Sequence, residues 1–236
     1  MLNELTQEPV FGITLTLLVY FLGLFLYKKE KKAIFHPILM ALFIIIAFLT
    51  LFDIDYESYN NGGQYISVLL GPATVALAIP MYRKITLLKK YTLLILLSTF
   101  FSSLIAILLT IGLGMVFKTN LLLLISMIPK SVTTPIAVGI SEQIGGEIAL
   151  TAGAVIITGL IGGMFGPELN RLFKIKSTLA RGLTMGITAH GIGTARALTE
   201  DEQEGALSGL AIGLMGIFTA INAPIVLYFL RLIWPL

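Results

Sequence analysis

Long stretches without a charged side chain constrain this chain more than any other feature. Six windows of at least 19 residues contain no Lys, Arg, Asp or Glu. A helix of about 20 apolar residues crosses the hydrocarbon core of a bilayer. The windows therefore predict membrane-spanning helices. They cover residues 9–27, 33–52, 61–82, 91–117, 148–167 and 205–230.

Composition supports an all-α, polytopic membrane protein and excludes several other classes. Charged residues make up 12% of the chain, against about 25% in soluble domains. Cysteine is absent, which excludes disulfides and thiolate chemistry. The sequence has no phosphate-binding loop, zinc-protease motif or nucleophile elbow. We therefore expect no enzyme activity, cofactor or metal. Because the basic residues are dispersed, we expect no binding of nucleic acid.

Basic loops predict the orientation, because loops rich in Lys and Arg remain in the cytoplasm. Basic residues occupy 28–32 and 83–90, whereas acidic residues occupy 53–60. This pattern predicts an N-terminus outside the cell and Lys118 outside as well.

The basic loop 171–181 should also be inside, yet 148–167 is the one full window that can lead to it from Lys118. Residues 119–146 are therefore predicted to be re-entrant, entering and leaving on the same side. We expect a half-helix at 120–128, a break at Pro129 and a second half-helix from about residue 134.

The C-terminal part is predicted to cross twice. A pass over 182–198 places the acidic residues 200–204 outside, and the last helix returns Arg231 to the inside. The total is seven spans and one re-entrant segment in a single domain over 1–236. Within it, 1–60 form peripheral spans and 61–236 a transport core with broken helices.

Two weak similarities suggest an internal repeat. Gly71–Val75 resembles Ile128–Val132, and the segments 140–142 and 149–151 resemble 198–200 and 206–208. Transporters are often built from repeats with interrupted helices. If 182–198 were also re-entrant, 119–167 and 182–230 would form two hairpin-plus-helix units of opposite orientation. Chance similarity in apolar sequence is the alternative.

Lys130 is the most informative single residue, because it lies between Pro129 and Ser131 in an otherwise uncharged stretch. A charge at membrane depth costs at least about 2.5 kcal/mol and needs a partner or a water-filled cavity. Thr133 and Thr134 precede Pro135, which is typical of a helix start. A lysine, hydroxyl groups and a helix N-terminus suit a carboxylate. The alternative is an ion pair of Lys130 with Glu142 or Glu147.

Three further charged or titratable residues are candidates. His190 and Glu142 are the candidate proton-coupling residues, since histidine titrates near neutral pH. Arg196 can bind a carboxylate through two parallel hydrogen bonds. The alternatives are a structural interior histidine and an arginine that balances the acidic residues 200–204.

Two proline-containing segments add the last candidates for substrate binding, Thr74 and Asn222. Gly71-Pro72-Ala73-Thr74 interrupts the third window, and Asn222-Ala223-Pro224 interrupts the last. Proline in a spanning helix frees a carbonyl group, and such breaks often line cavities. Ordinary structural kinks are the alternative.

The sequence resembles the LrgB/CidB family of antiholin-like and holin-like bacterial membrane proteins over nearly its whole length. The resemblance lies in four runs, which keep their order: 69–82 (LLGPATVALAIPMY), 129–135 (PKSVTTP), 180–183 (ARGL) and 189–198 (AHGIGTARAL).

The resemblance implies a multi-pass protein of the bacterial cytoplasmic membrane and two possible functions. One is transport of small monocarboxylates such as pyruvate, glycolate or glycerate, which is our main expectation. The other is regulation of murein hydrolase activity and autolysis with a small membrane partner of the LrgA/CidA type. We also expect a homo-oligomer.

Overall fold

Helices make up the regular structure in the part of the chain that the computed structural model describes, which is residues 6–30, 37–69, 72, 75–76 and 78–233. The predicted site residue Thr74 and most of the predicted break around it lie outside these residues. The chain divides into two compact units, residues 1–76 and residues 77–236.

The first unit contains helices α1 (Pro9–Glu30), α2 (Pro37–Leu51) and α3 (Tyr56–Val68). Helices α1 and α2 are antiparallel: Gly23 packs on Pro37 at one end, and the rings of Phe11 and Phe48 lie 6.3 Å apart at the other. Helix α3 packs on α1, where the hydroxyl groups of Thr16 and Tyr59 are 2.9 Å apart.

The second unit holds the remaining helices of the described chain. In order they are α4 (Ala78–Arg83), α5 (Ile85–Lys90), α6 (Thr92–Val116), α7 (Leu121–Met127), α8 (Thr134–Ile144), α9 (Ile148–Leu172), α10 (Thr178–Glu200) and α11 (Glu202–Ile233).

Four helices of the described chain are long and apolar enough to cross a membrane: Pro9–Lys29, Thr92–Val116, Ile148–Leu172 and Glu202–Leu230. They coincide with four of the six uncharged windows. The window 33–52 corresponds to the 15-residue helix α2, and the window 61–82 extends from α3 into α4. The structure therefore supports a helical membrane protein without confirming seven spans.

Helices α6 and α11 run parallel through the second unit. Phe100 stacks edge to face on Phe218 at 5.4 Å, and Ser103 bonds to Asn222 further along both helices. The buried face of α6 repeats every three to four residues, as expected for a helix that contacts protein on one side and lipid on the other. Its members are Ile95, Thr99, Ser103, Ile107, Thr110, Ile111 and Gly114.

Helices α7 and α8 form the predicted broken hairpin, with bounds close to those expected. The break covers 128–133, and Gly145 ends α8 in the left-handed conformation with φ of 88°. Helix α9 starts against this hairpin, because the Glu147 amide donates to Ser126 Oγ at 2.8 Å. Leu124 of α7 packs against Gly114 near the end of α6, so the hairpin begins and ends at the end of the unit where α6 ends and α9 starts.

Helix α10 is a second hairpin, because its backbone breaks at His190 with φ of 38° and ψ of −127°. The half before the break packs along α11, where Gly186 lies against the carbonyl of Ser208. The half after the break runs back along the same helix, and Thr194 bonds to Ser208 at 2.6 Å. The two halves thus run in opposite directions along α11.

Ion pairs place both termini of this second hairpin at one end of the unit, called here the Glu202 end. Glu202 lies 3.4 Å from Arg83 and 3.3 Å from Lys84, and Glu200 lies 3.7 Å from Arg171. The opposite end is the Lys118 end, where Lys118, Thr119 and Leu230 line one cavity.

The prediction that 182–198 crosses to the far side is therefore wrong. Residues 200–204 lie beside the basic residues of 83–90 and 171–181, and α11 ends near Lys118, so the prediction for Arg231 is wrong too. The physical reason is length. The uncharged stretch 182–195 holds 14 residues, or about 21 Å of helix, which is short of the roughly 30 Å core.

The structure instead has the alternative arrangement, two hairpin-plus-helix units of opposite orientation. One consists of α7, α8 and α9, and the other of α10 and α11. In both, a hydroxyl of the returning half-helix bonds to one near the start of the next long helix: Ser141 with Thr151, and Thr194 with Ser208, each at 2.6 Å. Thr151 and Ser208 are equivalent in the sequence repeat.

Candidate functional site

Lys130 lies in the break between α7 and α8, flanked by the buried residues Ile128 and Val132. Its ammonium group donates a hydrogen bond to Thr110 Oγ1 of α6. Among the described residues no carboxylate lies within ion-pair distance of it. Glu142 and Glu147 are exposed, so the alternative ion pairs do not form. The half-buried ammonium group of Lys130 thus has one neutral hydroxyl, that of Thr110, as its hydrogen-bond partner among the described residues.

The first turn of α8 adds further donors beside Lys130. Thr133 is the N-cap residue in an extended conformation, and its side chain makes no capping bond. Thr134 and Pro135 therefore occupy the first two helical positions. The first intrahelical bond runs from the Ala137 amide to the Thr133 carbonyl at 2.9 Å. The amides before Ala137 lack intrahelical partners, as at every helix start.

The hydroxyl groups of Ser131, Thr133 and Thr134 make no hydrogen bond within the described part of the chain. The break thus contributes an ammonium group, hydroxyl groups and free amides. This set of hydrogen-bond donors is chemically suited to an anion.

A second polar group lies between α6 and α11. Asn222, another predicted binding residue, is buried and donates through Nδ2 to Ser103 Oγ at 2.6 Å. One turn earlier on α11, Thr219 is 2% exposed, and its hydroxyl has no hydrogen-bond partner among the described residues.

Sequence reasoning missed Ser103, Thr110 and Thr219. A signal existed for the first two, since Thr99, Ser103 and Thr110 share one face of an otherwise apolar window. Thr219 has no such signal, because an unpaired hydroxyl becomes apparent only when its neighbours are in place.

His190 lies at the break of the second hairpin and contacts α9. The side chain is buried, and Nε2 lies 3.0 Å from the carbonyl oxygen of Val155. Because a carbonyl only accepts, Nε2 is the donor, which fixes the tautomer of the neutral ring. Gly159 faces the imidazole and leaves no room for a larger side chain. This surrounding fits a structural histidine, and proton coupling stays a prediction.

Arg196 belongs to an ion-pair cluster at the Glu202 end. Its guanidinium group lies 2.7 Å from Glu200 and 4.0 Å from Glu168, and Arg171 contacts the same two carboxylates. The structure brings Arg196 together with this cluster, as the alternative interpretation expected. Its role in substrate binding stays a prediction.

The remaining predicted site residue, Glu142, is exposed on α8. The described residues contain no cluster of three or more His, Asp or Glu side chains that could hold a metal ion. Glu204, the buried carboxylate of the second unit, is paired with Arg181 at 2.6 Å.

The chain is similar to known bacterial proteins over nearly its whole length. The model of the LrgB-like family matches residues 16–229. "Uncharacterized protein YwbG" of Bacillus subtilis (strain 168) is 38% identical over 221 residues, which cover 94% of this chain and 98% of the relative. "Antiholin-like protein LrgB" of Bacillus cereus (strain B4264) is 34% identical over 226 residues, which cover 95% and 98%.

A protein with the same name from Bacillus anthracis (strain CDC 684 / NRRL 3495) matches to the same extent. No solved structure matches the chain significantly. The name of the two LrgB relatives agrees with the antiholin-like alternative, and none of the three names mentions carboxylate transport. Because the family model and these relatives cover nearly the whole chain, the protein belongs to the LrgB-like family.

Proposed function

We propose that this chain binds a small monocarboxylate at the break between α7 and α8 and moves it across the bacterial cytoplasmic membrane. The observation that carries the proposal is Lys130, a half-buried cation without a carboxylate partner among the described residues. A charge at membrane depth costs at least about 2.5 kcal/mol unless something compensates it. A bound carboxylate supplies that compensation, and the donors of Ser131, Thr133 and Thr134 hold its oxygens.

The two hairpins of opposite orientation suggest how the bound carboxylate crosses the membrane. In many transporters, inverted repeats with broken helices expose one binding site to each side in turn. In the proposed topology the Glu202 end faces the cytoplasm, because the basic loops 83–90 and 171–181 lie there. The N-terminus outside and further spans over 33–52 and 61–82 are part of the proposal, as are a homo-oligomer and the absence of enzyme activity.

The names of the relatives favour a second candidate function, that of an antiholin-like regulator. In this account the chain controls murein hydrolase activity and autolysis together with a small LrgA/CidA-like membrane protein. The two candidates differ at Lys130. A transporter needs the positive charge at that position, whereas a regulator that acts through protein contacts tolerates an uncharged polar residue.

Uptake of radiolabelled pyruvate and glycolate into proteoliposomes tests the first candidate. We expect saturable uptake by the wild-type chain and at least a tenfold loss in Lys130→Gln. Lys118→Gln is the matched control, since it removes an exposed lysine at the Lys118 end, and it should retain uptake.

Equal uptake by Lys130→Gln and wild type would refute the proposed site. Absence of uptake from folded wild-type protein, alone and with an LrgA-like partner, would refute transport. If Lys130→Gln then retained control of murein hydrolase activity in cells, the second candidate would stand.

A further inference from the structure

Thr219 of the second unit has a buried hydroxyl group without a hydrogen-bond partner among the described residues, which is rare in folded proteins. A polar group that is removed from water without a hydrogen bond costs on the order of 1–3 kcal/mol. Thr219 Oγ1 is the single buried side-chain polar atom of the described residues in this condition. Buried threonines elsewhere in the unit, such as Thr99, bond to the carbonyl one turn earlier.

The position of Thr219 connects it with the first turn of α8. Gly216 lies three residues before it on the same face of α11. Ile136 packs directly against Gly216. A methyl group added at Gly216 would lie 2.7 Å from Ile136 Cδ1, which is too close. Ile136 belongs to the first turn of α8, whose amides lack intrahelical partners. The face of α11 that carries Thr219 therefore packs against the start of α8.

The first turn of α8 supplies free backbone donors near this contact. Pro135 has no amide hydrogen, so Thr134 and Ile136 supply the free backbone donors of the first turn of α8. Three residues beyond Thr219 on α11, Asn222 is already engaged with Ser103. Among the described residues of α11, Thr219 thus carries the buried hydroxyl without a partner, one turn beyond the contact of Gly216 with the start of α8.

We infer that Thr219 is a substrate-binding residue that donates its hydroxyl to a carboxylate oxygen of an anion held at the N-terminus of α8. The inference rests on the proposed function and assigns it a contact from a second helix. Through Thr219, the binding site also includes α11, the helix that runs from the Glu202 end of the unit to the Lys118 end. Binding of the anion supplies the partner that the hydroxyl lacks among the described residues.

Thr219→Val tests the inference, because valine keeps the shape and removes the hydroxyl. Binding of radiolabelled pyruvate and glycolate to the purified protein is measured together with its thermal midpoint without ligand. We expect the affinity to fall roughly tenfold or more, as for a lost hydrogen bond to a charged group. We expect the midpoint to stay the same or rise, since the empty protein loses an unsatisfied buried group.

Two variants control this experiment. Thr219→Ser keeps the hydroxyl and should bind within a few-fold of wild type. Thr99→Val removes an equally buried hydroxyl that is bonded within α6, and it should leave the affinity unchanged.

Two results would overturn the inference while leaving the proposed function intact. One is unchanged affinity in Thr219→Val. The other is a lower midpoint together with weaker binding, which would mean that a structural water or the fold needs the hydroxyl. Absence of saturable binding of both acids to the folded wild-type protein would instead overturn the inference and the proposed function together.

Discussion

A lysine after a proline in an uncharged stretch is visible in the sequence, and so is the helix that starts at the threonines after it. Lys130, Thr133 and Thr134 were therefore candidates from the sequence alone, and the structure places them in the break and in the first turn of α8. The hydrogen-bond partner of Lys130 was not predictable, because Thr110 is 20 residues away in the sequence. Arg196 illustrates the converse: its charge suits a substrate, but its neighbours Glu168 and Glu200 already engage it.

The Arg181–Glu204 pair gives a prediction at this scale. Glu204 is 4% exposed, and Arg181 also donates to the carbonyls of Ile175 and Lys176. Arg181→Gln would leave a buried carboxylate unpaired and should destabilise the protein by about 3 kcal/mol. The thermal midpoint measures this effect. The double variant Arg181→Gln/Glu204→Gln should recover part of the loss, and a midpoint equal to wild type in the single variant would contradict the account.

At the scale of elements, hydrophobic windows and broken helices were predictable, but the direction of the second hairpin was not. The uncharged stretch 182–195 is too short to cross, yet the glycines around His190 permit either a continuous helix or a break. The structure breaks at His190, and the acidic residues after it then pair with Arg83, Lys84 and Arg171. Charge counting assumes that acidic loops lie outside and therefore misplaces 200–204.

The absence of cysteine makes the orientation of this hairpin directly testable. We expect Gln203→Cys, like Lys176→Cys, to react with a membrane-impermeant maleimide only after the cells are permeabilised. Thr119→Cys at the opposite end should react in intact cells. Gln203 lies in the first turn of α11, and Lys176 and Thr119 lie in the connections before α10 and α7, where substitution disturbs packing least. Labelling of Gln203→Cys but not of Lys176→Cys in intact cells would show that 178–200 crosses the membrane and that the inverted arrangement is wrong.

At the scale of the whole molecule, family and class follow from the sequence, whereas function depends on how the second unit works. The two hairpin-plus-helix units enter from opposite ends, and the sequence repeat matches positions within them, such as Thr151 and Ser208. An arrangement of this kind suits alternating access to one site. The antiholin-like names of the relatives describe a cellular role and not the chemistry of this site.

The central claim is that a carboxylate occupies the break between α7 and α8, and protection of an introduced thiol tests it most directly. Ser131→Cys places one thiol beside Lys130 in a chain without others. In proteoliposomes, pyruvate or glycolate should slow alkylation of this thiol in a saturable manner, over the concentrations at which uptake by the wild type saturates. The reaction of Lys118→Cys should not change. Alkylation of Ser131→Cys at the same rate with and without saturating acid would contradict the account.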